Sequence, residues 1–263
     1  MQSSTVTYGV IPFENSTNGS VVASLDLFVD AKGKFQDVEV IGEQYVKVEH
    51  CLVGHHPASN SSPMTDFSHI TDVHTHPQAW TQCHEFLTTK LKHARRHDVS
   101  STAAAAALVA GDTTGASVGI SSALAAKAHN VPILQQGIED RGDNVTRFLV
   151  LGRRPEHAGA RTPSQWQKGT KIRSLVTFTL HADDNPGALA DALAAFKPYG
   201  INLTSINARP SGAGPWRYCF LVEMLTTSEG EEGGDPPLRL ALKDLDKIVK
   251  SWRWCGSWES ALE

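Results

Sequence analysis

The chain has 263 residues, of which 40% are hydrophobic and 20% charged, and its formal net charge is −4. This length fits one or two domains of about 100–200 residues, and the acidic balance argues against a nucleic-acid-binding protein with a basic face. The best candidate membrane segment, from Ala103 to Ala110, is far shorter than the roughly 18–20 residues that span a bilayer. No basic segment followed by an apolar one opens the chain, so we expect a cytoplasmic protein that contacts neither membrane nor nucleic acid.

The positions of cysteine and histidine predict neither disulfides nor a metal site. His74 and His76 point the same way on a predicted strand, yet no acidic or cysteine partner stands at a recognised ligand spacing. The cysteines are widely spaced and form no CxxC pair, so we expect reduced, mostly buried thiols. They are Cys51, Cys83, Cys219 and Cys255.

Strand-like runs alternate with helical ones from residue 1 to about residue 152, which is the pattern of an α/β domain. The predicted strands cover residues 6–13, 38–53, 72–75, 117–120 and 145–151. Helical spacing covers residues 19–30, 78–93 and 123–129. A further alanine-rich helix begins at a cap on Ser100 or Ser101, runs through Val109 and stops at Gly111.

Residues 153–173 lose this pattern, because prolines and glycines stand among basic residues there, and we interpret them as a linker. The block that follows predicts strands at residues 175–181, 202–208, 217–225 and 253–258, and helices at residues 186–199 and 238–250. The order βαββαβ predicts a ferredoxin-like domain, in which a four-stranded sheet carries two helices on one face.

Three polar clusters stand where predicted strands end, and in α/β proteins such ends line the ligand crevice. In the first, Asn15 or a neighbour can cap the following helix, whose free N–H groups suit an anion, although a plain capping loop explains the same residues. The second runs from His74 to Gln78, with Gln82 one helical turn later, and a simple strand-to-helix junction explains it equally well.

The third cluster joins Thr146 and Arg147. A threonine hydroxyl can donate or accept a hydrogen bond, and an arginine offers a planar fork for a carboxylate. Ser101 and Thr102 supply further hydroxyls at the start of the alanine-rich helix. These residue types favour a site for a small anionic molecule.

Together these segments resemble the prephenate dehydratase family. Residues 9–21 are similar to its Gly-(Val/Ile)-Pro-x-Glu-Asn-Ser segment, and residues 76–83 to its His-Pro-Gln…Gln-Cys stretch. Residues 101–104 and 144–148 match its later Ser-Thr-x-Ala-Ala and Asn-x-Thr-Arg-Phe motifs in the same order. The last block resembles the ACT regulatory domain of these enzymes, so the resemblance covers about residues 8–259.

The resemblance implies a two-lobed, periplasmic-binding-protein-like α/β catalytic domain over residues 1–152, a linker over 153–173 and a ferredoxin-like ACT domain over 174–260. It also implies an N-terminally incomplete catalytic domain, because the family's usual first strand and glycine-containing loop have no counterpart here. Family members convert prephenate to phenylpyruvate in L-phenylalanine biosynthesis. This lyase reaction releases CO2 and water and needs no metal or organic cofactor.

Carried over by position, Thr146 matches the family's essential threonine, whose hydroxyl would bond the departing hydroxyl group. Thr75 stands where the family more often has serine, a change that keeps the hydroxyl. Arg147 is included with the substrate-binding residues, although a buttressing role suits it better. The implied substrate-binding set is Glu14, Asn15, Ser16, Thr75, Gln82, Ser101 and Arg147.

In the ACT-like block, residues 184–190 resemble the family's phenylalanine-binding Gly-Ala-Leu motif, with Asn185 as a helix cap and Pro186 at the first helical position. The partner motif, usually Glu-Ser-Arg-Pro, stands here as residues 207–210 without the Glu and the Ser, which weakens the case for conventional inhibition. The resemblance implies L-phenylalanine as effector and a homodimer or homotetramer. The implied effector-binding residues are Asn185, Gly187, Ala188, Leu189, Asn207 and Arg209.

The sequence also leaves three other functions open. Arogenate dehydratase does the same chemistry on the transaminated substrate, and no motif here separates a keto group from an amino group. A catalytically silent amino-acid-binding relative would follow from the incomplete first domain. The third alternative is a two-lobed solute-binding protein, against which the lack of a visible secretory signal counts.

Overall fold

The computed structural model describes residues 6–56, 66–153, 166–181, 185–228 and 237–262. The chain forms two compact units. Unit 1 combines residues 1–46 with residues 146–263, and unit 2 is the continuous stretch 47–145. Unit 2 is therefore inserted in the sequence between the two segments of unit 1.

The strands are β1 (Tyr8–Asn15), β2 (Gly19–Ser20), β3 (Val38–Lys47), β4 (Cys51–Val53), β5 (Asp72–Thr75), β6 (Arg95–Asp98), β7 (Ser117–Ser121), β8 (Ile133–Gln136), β9 (Val145–Arg153), β10 (Lys171–Thr179), β11 (Asn202–Pro210), β12 (Tyr218–Thr227) and β13 (Ser251–Glu259). The α-helices are α1 (Val22–Val29), α2 (Pro77–Gln82), α3 (His84–Lys90), α4 (Thr102–Val109), α5 (Ala123–Ala128), α6 (Ala188–Ala194) and α7 (Pro237–Leu245).

Unit 1 contains an eight-stranded sheet with the order β11-β12-β10-β13-β3-β9-β1-β2. Its first four strands are antiparallel neighbours and come from the C-terminal block, which confirms the predicted βαββαβ plan. The block joins the remaining strands through a parallel contact between Gly256 and Val40. A Cβ atom at residue 256 would lie 2.2 Å from the Val40 carbonyl oxygen, so this junction requires glycine.

At β10 both faces of the unit 1 sheet are buried, and neighbouring residues of this strand point to opposite sides. On one side, Val176 of β10 shares a buried cluster with Ala192 of α6 and Leu245 of α7. On the other side, Leu175 of β10 lies in a cluster that includes Phe28 of α1. The C-terminal block and the N-terminal strands therefore share one core.

Unit 2 has a five-stranded sheet with the order β6-β5-β7-β4-β8 and helices packed on both faces. The Ser101 hydroxyl accepts a hydrogen bond from the Ala104 backbone N–H and caps α4, as predicted. At Gly119 of β7 a Cβ atom would lie 3.2 Å from the Ala105 backbone, so glycine allows α4 to approach the sheet closely.

Several predicted elements differ from the observed ones. The helix predicted over residues 78–93 is two helices that meet at Cys83, where the Asp140 carboxylate accepts from the backbone N–H groups of His84 and Glu85. The short strands β6 and β8 are absent from the prediction, because residues 95–98 are all charged or histidine and residues 133–136 are half polar.

The helices α6 and α7 also have bounds that differ from those of the predicted helices. Gly187, in a left-handed conformation, precedes the first residue of α6, so Asn185 and Pro186 do not occupy the predicted cap and first-turn positions. The helix predicted through residue 250 ends at Leu245. Strands β9 and β10 extend into the ends of the predicted linker, whose residues 154–165 lie outside the described ranges. The domain boundaries at 152 and 173 stay a prediction.

The cysteine prediction is confirmed, since all of the cysteines are buried and none of them forms a disulfide. Burial raises the pKa of the Cys83 thiol to about 12 and that of Cys219 to about 11. Within the described ranges, no helix is long and apolar enough to cross a membrane. The same ranges hold no group of three or more His, Cys, Asp or Glu side chains that could bind a metal ion.

Candidate active site

A hydrogen-bonded pair of side chains joins the first and last strands of the N-terminal block. Asn15 at the end of β1 lies directly opposite Thr146 near the start of β9. The Asn15 amide Nδ2 donates to the Thr146 hydroxyl oxygen at 3.0 Å. Because that hydroxyl oxygen is the acceptor, its own O–H can donate elsewhere. Both side chains are half-buried, so a ligand can reach them.

The turn after β1 fixes the orientation of the Asn15 amide. Its carbonyl oxygen accepts from the backbone N–H groups of Thr17 and Asn18 at 3.0 and 2.9 Å, which is the Asx-turn arrangement. The amide nitrogen is thereby directed at Thr146. This geometry corrects the prediction that the cluster caps a helix, since α1 begins after Val21 without a side-chain cap.

Arg147 occupies the opposite face of β9 and contacts carboxylates of the chain itself. Its Nε and Nη2 atoms lie 2.8 and 2.6 Å from Glu43 Oε2, and its Nη1 lies 2.9 Å from both oxygens of Glu223. Glu14 is farther away, at 3.9 Å from Nη1, and its side chain is 45% exposed. This placement supports the buttressing role of Arg147 rather than direct contact with a substrate.

Aromatic rings shield the Arg147 guanidinium further. Its carbon Cζ lies 5.6 Å from the Phe13 ring centre and 5.9 Å from that of Tyr45. Burial raises the pKa of Tyr45 to about 12, so this phenol stays protonated at neutral pH. The ion pairs of Arg147 therefore lie in a region of low dielectric, where each is strong and each unpaired charge is costly.

The predicted site residues of unit 2 each have a partner within unit 2. The Thr75 side chain is fully buried and its hydroxyl donates to the Ile120 carbonyl at 2.9 Å, which does not support contact with a ligand. Gln82 is half-buried, and its Oε1 lies 2.8 Å from His50 Nε2. Ser101 is exposed at the N-terminus of α4, and its hydroxyl proton remains available to a ligand.

The predicted effector-binding residues fall into two separate groups. Asn185, Gly187 and the following residues line an open depression at the start of α6. Asn207 instead accepts a hydrogen bond from the Ser20 hydroxyl, and Arg209 forms a bidentate ion pair with Asp26 of α1, at 2.6 and 3.0 Å. Neither Asn207 nor Arg209 is among the described residues that line the depression.

Glu43, Arg173 and Glu223 form the charged surroundings of Arg147 but were not among the predicted site residues. The sequence could have indicated that Glu223 is buried and paired, because it interrupts the apolar residues of β12. Acidic side chains are almost never fully buried unless they are paired. The partner of Glu223 could not be named, since Arg147 and Arg173 are distant in sequence. Glu43 and Arg173 carry no comparable pattern.

The fold and the pair Asn15–Thr146 define an α/β protein with a hydroxyl poised to donate a hydrogen bond at a strand end. The prephenate dehydratase family model matches residues 1–156. The probable prephenate dehydratase of Saccharomyces cerevisiae is 34% identical over 279 aligned residues, which cover 95% of this chain and 80% of the yeast protein. The chain therefore belongs to the prephenate dehydratase family, which confirms that prediction.

Other relatives are longer than this chain. The bifunctional chorismate mutase/prephenate dehydratase of Aquifex aeolicus is 32% identical, and the alignment covers 97% of this chain but 62% of that protein. Among solved structures, prephenate dehydratase from Arthrobacter aurescens in complex with L-Phe is 29% identical with a TM-score of 0.76, covering 99% of this chain and 77% of that one. These similarities confirm the predicted fold class.

A structure described under a different activity is also similar. GqqA, described as a quorum-quenching acylase, is 25% identical with a TM-score of 0.74, and the match covers 98% of this chain and 83% of that one. The same fold is therefore found in a protein whose described activity is not dehydration.

Proposed function

We propose that this chain catalyses the decarboxylating dehydration of prephenate to phenylpyruvate. The observation that carries the proposal is the Thr146 hydroxyl, held by Asn15 at 3.0 Å so that its own proton can be donated. Membership of the prephenate dehydratase family supports the choice of substrate. The alignment with the Aquifex protein leaves more than a third of that protein unmatched, so only the dehydratase reaction is proposed here.

The reaction requires the ring carboxylate and the ring hydroxyl of prephenate to leave together. The carbon–carbon bond to the carboxylate breaks, its electron pair enters the ring, and the carbon–oxygen bond to the hydroxyl breaks. The departing oxygen takes up a proton and leaves as water, and the aromatic ring formed makes the step favourable without a cofactor. The protein's contribution is to orient the substrate and to assist the departing oxygen.

Thr146 is the residue placed for that assistance. An alcohol is too weakly acidic to protonate the departing oxygen alone, so Thr146 acts as a hydrogen-bond donor or as a relay for a proton. Asn15 holds the hydroxyl oxygen and so limits the directions in which the proton can point. Glu14 and Ser16, in the same unit as Thr146, remain proposed substrate contacts, and each has at least a partly accessible side chain.

The test is an assay of phenylpyruvate, measured by its absorbance in alkali, with the purified chain and prephenate. Arogenate is assayed in parallel, because arogenate dehydratase 2 of Petunia hybrida is 35% identical over 201 residues, covering 76% of this chain and 45% of that protein. We expect a higher kcat/KM for prephenate. A preference for arogenate would change the substrate, and no turnover of either compound would indicate a catalytically silent amino-acid-binding relative.

We also propose that the C-terminal block is an ACT domain that binds L-phenylalanine, in a cytoplasmic homodimer or homotetramer. Its βαββαβ plan and the depression at Gly187 support this, as does the L-Phe complex of the Arthrobacter aurescens enzyme. The left-handed backbone at residue 187 favours glycine. Because glycine has no side chain, a ligand can approach the backbone at the start of α6.

Titration calorimetry with L-phenylalanine tests the effector proposal, with D-phenylalanine as the control for stereospecific binding. We expect saturable heat with the L-isomer, lower prephenate turnover, and a mass by light scattering of at least a dimer. A monomer that releases no heat and keeps full turnover would contradict it. Binding without inhibition would show that the altered motif at residues 207–210 has uncoupled the effector from the reaction.

A further inference from the structure

Three buried charged side chains and one partly buried side chain, that of Arg173, form a closed ring on one face of the unit 1 sheet. Arg147 forms ion pairs with Glu43 and Glu223, and Arg173 forms ion pairs with the same two carboxylates from the other side. The Arg173 Nε lies 3.6 Å from Glu43 Oε1, and its Nη1 donates to Glu223 Oε1. Two positive and two negative charges therefore alternate, and the ring is neutral.

The ring members come from both parts of unit 1. Glu43 and Arg147 belong to β3 and β9 of the N-terminal block, whereas Arg173 and Glu223 belong to β10 and β12 of the βαββαβ block. Their side chains are between 0 and 13% exposed. Water therefore cannot replace a missing partner, and each member depends on the others for its position.

Glu223 is the member that holds Arg147 from the βαββαβ block. Both of its carboxylate oxygens accept from Arg147 Nη1, and one of them also accepts from Arg173. Arg147 is joined to Thr146 by a single peptide bond. The ion pairs of Arg147 therefore constrain the β9 backbone next to the pair of Thr146 and Asn15.

We propose that Glu223 and Arg173 are positioning residues for the dehydratase reaction, which hold Arg147 so that Thr146 keeps its place beside Asn15. The inference rests on the proposed function for its kinetic part only. A displacement of about 1 Å at a reacting group can reduce a rate by about 100-fold, so a role at this distance from the substrate is measurable in kcat. The βαββαβ block would then contribute to catalysis even without an effector.

Glu223→Gln is the most direct variant, because it keeps the shape of the side chain and leaves the ring with one excess positive charge. We expect kcat for prephenate to fall by about 10- to 100-fold, with KM changed by less than about threefold, as for an interaction that matters mainly in the transition state. Adding Arg173→Gln restores neutrality but removes both positioning side chains, so the double variant should keep the reduced kcat, whereas a recovery of more than half of the loss on a logarithmic scale would contradict the positioning role.

The matched control is Glu39→Gln, since Glu39 is another buried glutamate of β3 and lies outside the ring. We expect wild-type kcat from this control. If Glu223→Gln does not fold, Arg173→Lys serves instead, because it keeps the charge but cannot reach both carboxylates with a planar fork. We expect the same selective fall in kcat from it.

Hydrogen–deuterium exchange supplies a measurement that does not depend on activity. Glu223→Gln should exchange faster than wild type in peptides covering residues 144–148, and the double variant, which lacks both positioning side chains, should exchange faster there as well. Exchange in the α4 region of unit 2 should not change. If the wild-type chain turns over neither prephenate nor arogenate, the proposed function fails while exchange still decides the positioning role. Wild-type kcat together with wild-type exchange in Glu223→Gln would overturn the inference.

Discussion

Replacing Thr146 with valine is expected to reduce kcat for prephenate by about 100- to 10,000-fold, the range in which a positioned proton donor contributes to a rate. Valine has nearly the same shape as threonine but has no hydroxyl, so it cannot donate to the departing oxygen. It also leaves the Asn15 amide without its acceptor. The measurement is steady-state kinetics on a variant whose thermal unfolding is still cooperative.

Thr146→Ser is the control for this substitution, because serine keeps the hydroxyl and the hydrogen bond from Asn15. We expect it to retain most of the wild-type kcat. Both variants should keep KM within about threefold, since the donor acts chiefly in the transition state. Wild-type kcat in Thr146→Val would remove Thr146 from the mechanism, and an equal loss in Thr146→Ser would point to packing rather than to the hydroxyl.

Arg147→Met is expected to have the largest effect on stability. Methionine fills much of the same volume but leaves Glu43 and Glu223 buried with Arg173 as their remaining ring cation. Breaking a buried ion pair by removing one partner costs about 3–5 kcal/mol. Urea unfolding followed by tryptophan fluorescence measures the free energy of unfolding, and a lower midpoint with an unchanged slope is the expected result.

Arg141→Met is the matched control, because the Arg141–Asp143 pair is well formed but exposed to solvent. An exposed pair contributes about 0–1 kcal/mol, so we expect a change within that range. Comparing Arg141→Met with Arg147→Met separates the effect of removing any arginine on the free energy of unfolding from the effect of removing a buried one. Equal free energies of unfolding in Arg147→Met and wild type would show that the ring does not stabilise unit 1.

Much of the fold was predictable because its signals are local. Alternation and helical spacing predict most strands and helices, and the hydroxyl of Ser101 predicts the start of α4. The break between α2 and α3 is missed because a distant residue decides it. Asp140 ends α2 and begins α3 by accepting backbone N–H groups, and no pattern within residues 78–93 reveals this.

For the candidate site too, the sequence predicts the residue types but not the contacts between them. Residue types alone single out Asn15 and Thr146 as chemically capable, and their motifs indicate the family. Their contact with each other depends on the pairing of β1 with β9, which joins residues more than a hundred positions apart. The same holds for Thr75, whose hydroxyl looks available in the sequence but is bonded to Ile120 on the neighbouring strand.

The amino-acid order is therefore sufficient to predict the family, the βαββαβ block and the residue types of the site, because each of these depends on near neighbours in the chain. The charged ring of Arg147, Arg173, Glu43 and Glu223 depends on the folded protein. Its members lie on four strands that only the completed sheet brings together, and a buried charge is tolerated only where an opposite charge meets it. The strand order of unit 1 thus decides which charges are paired, and through Arg147 it places Thr146.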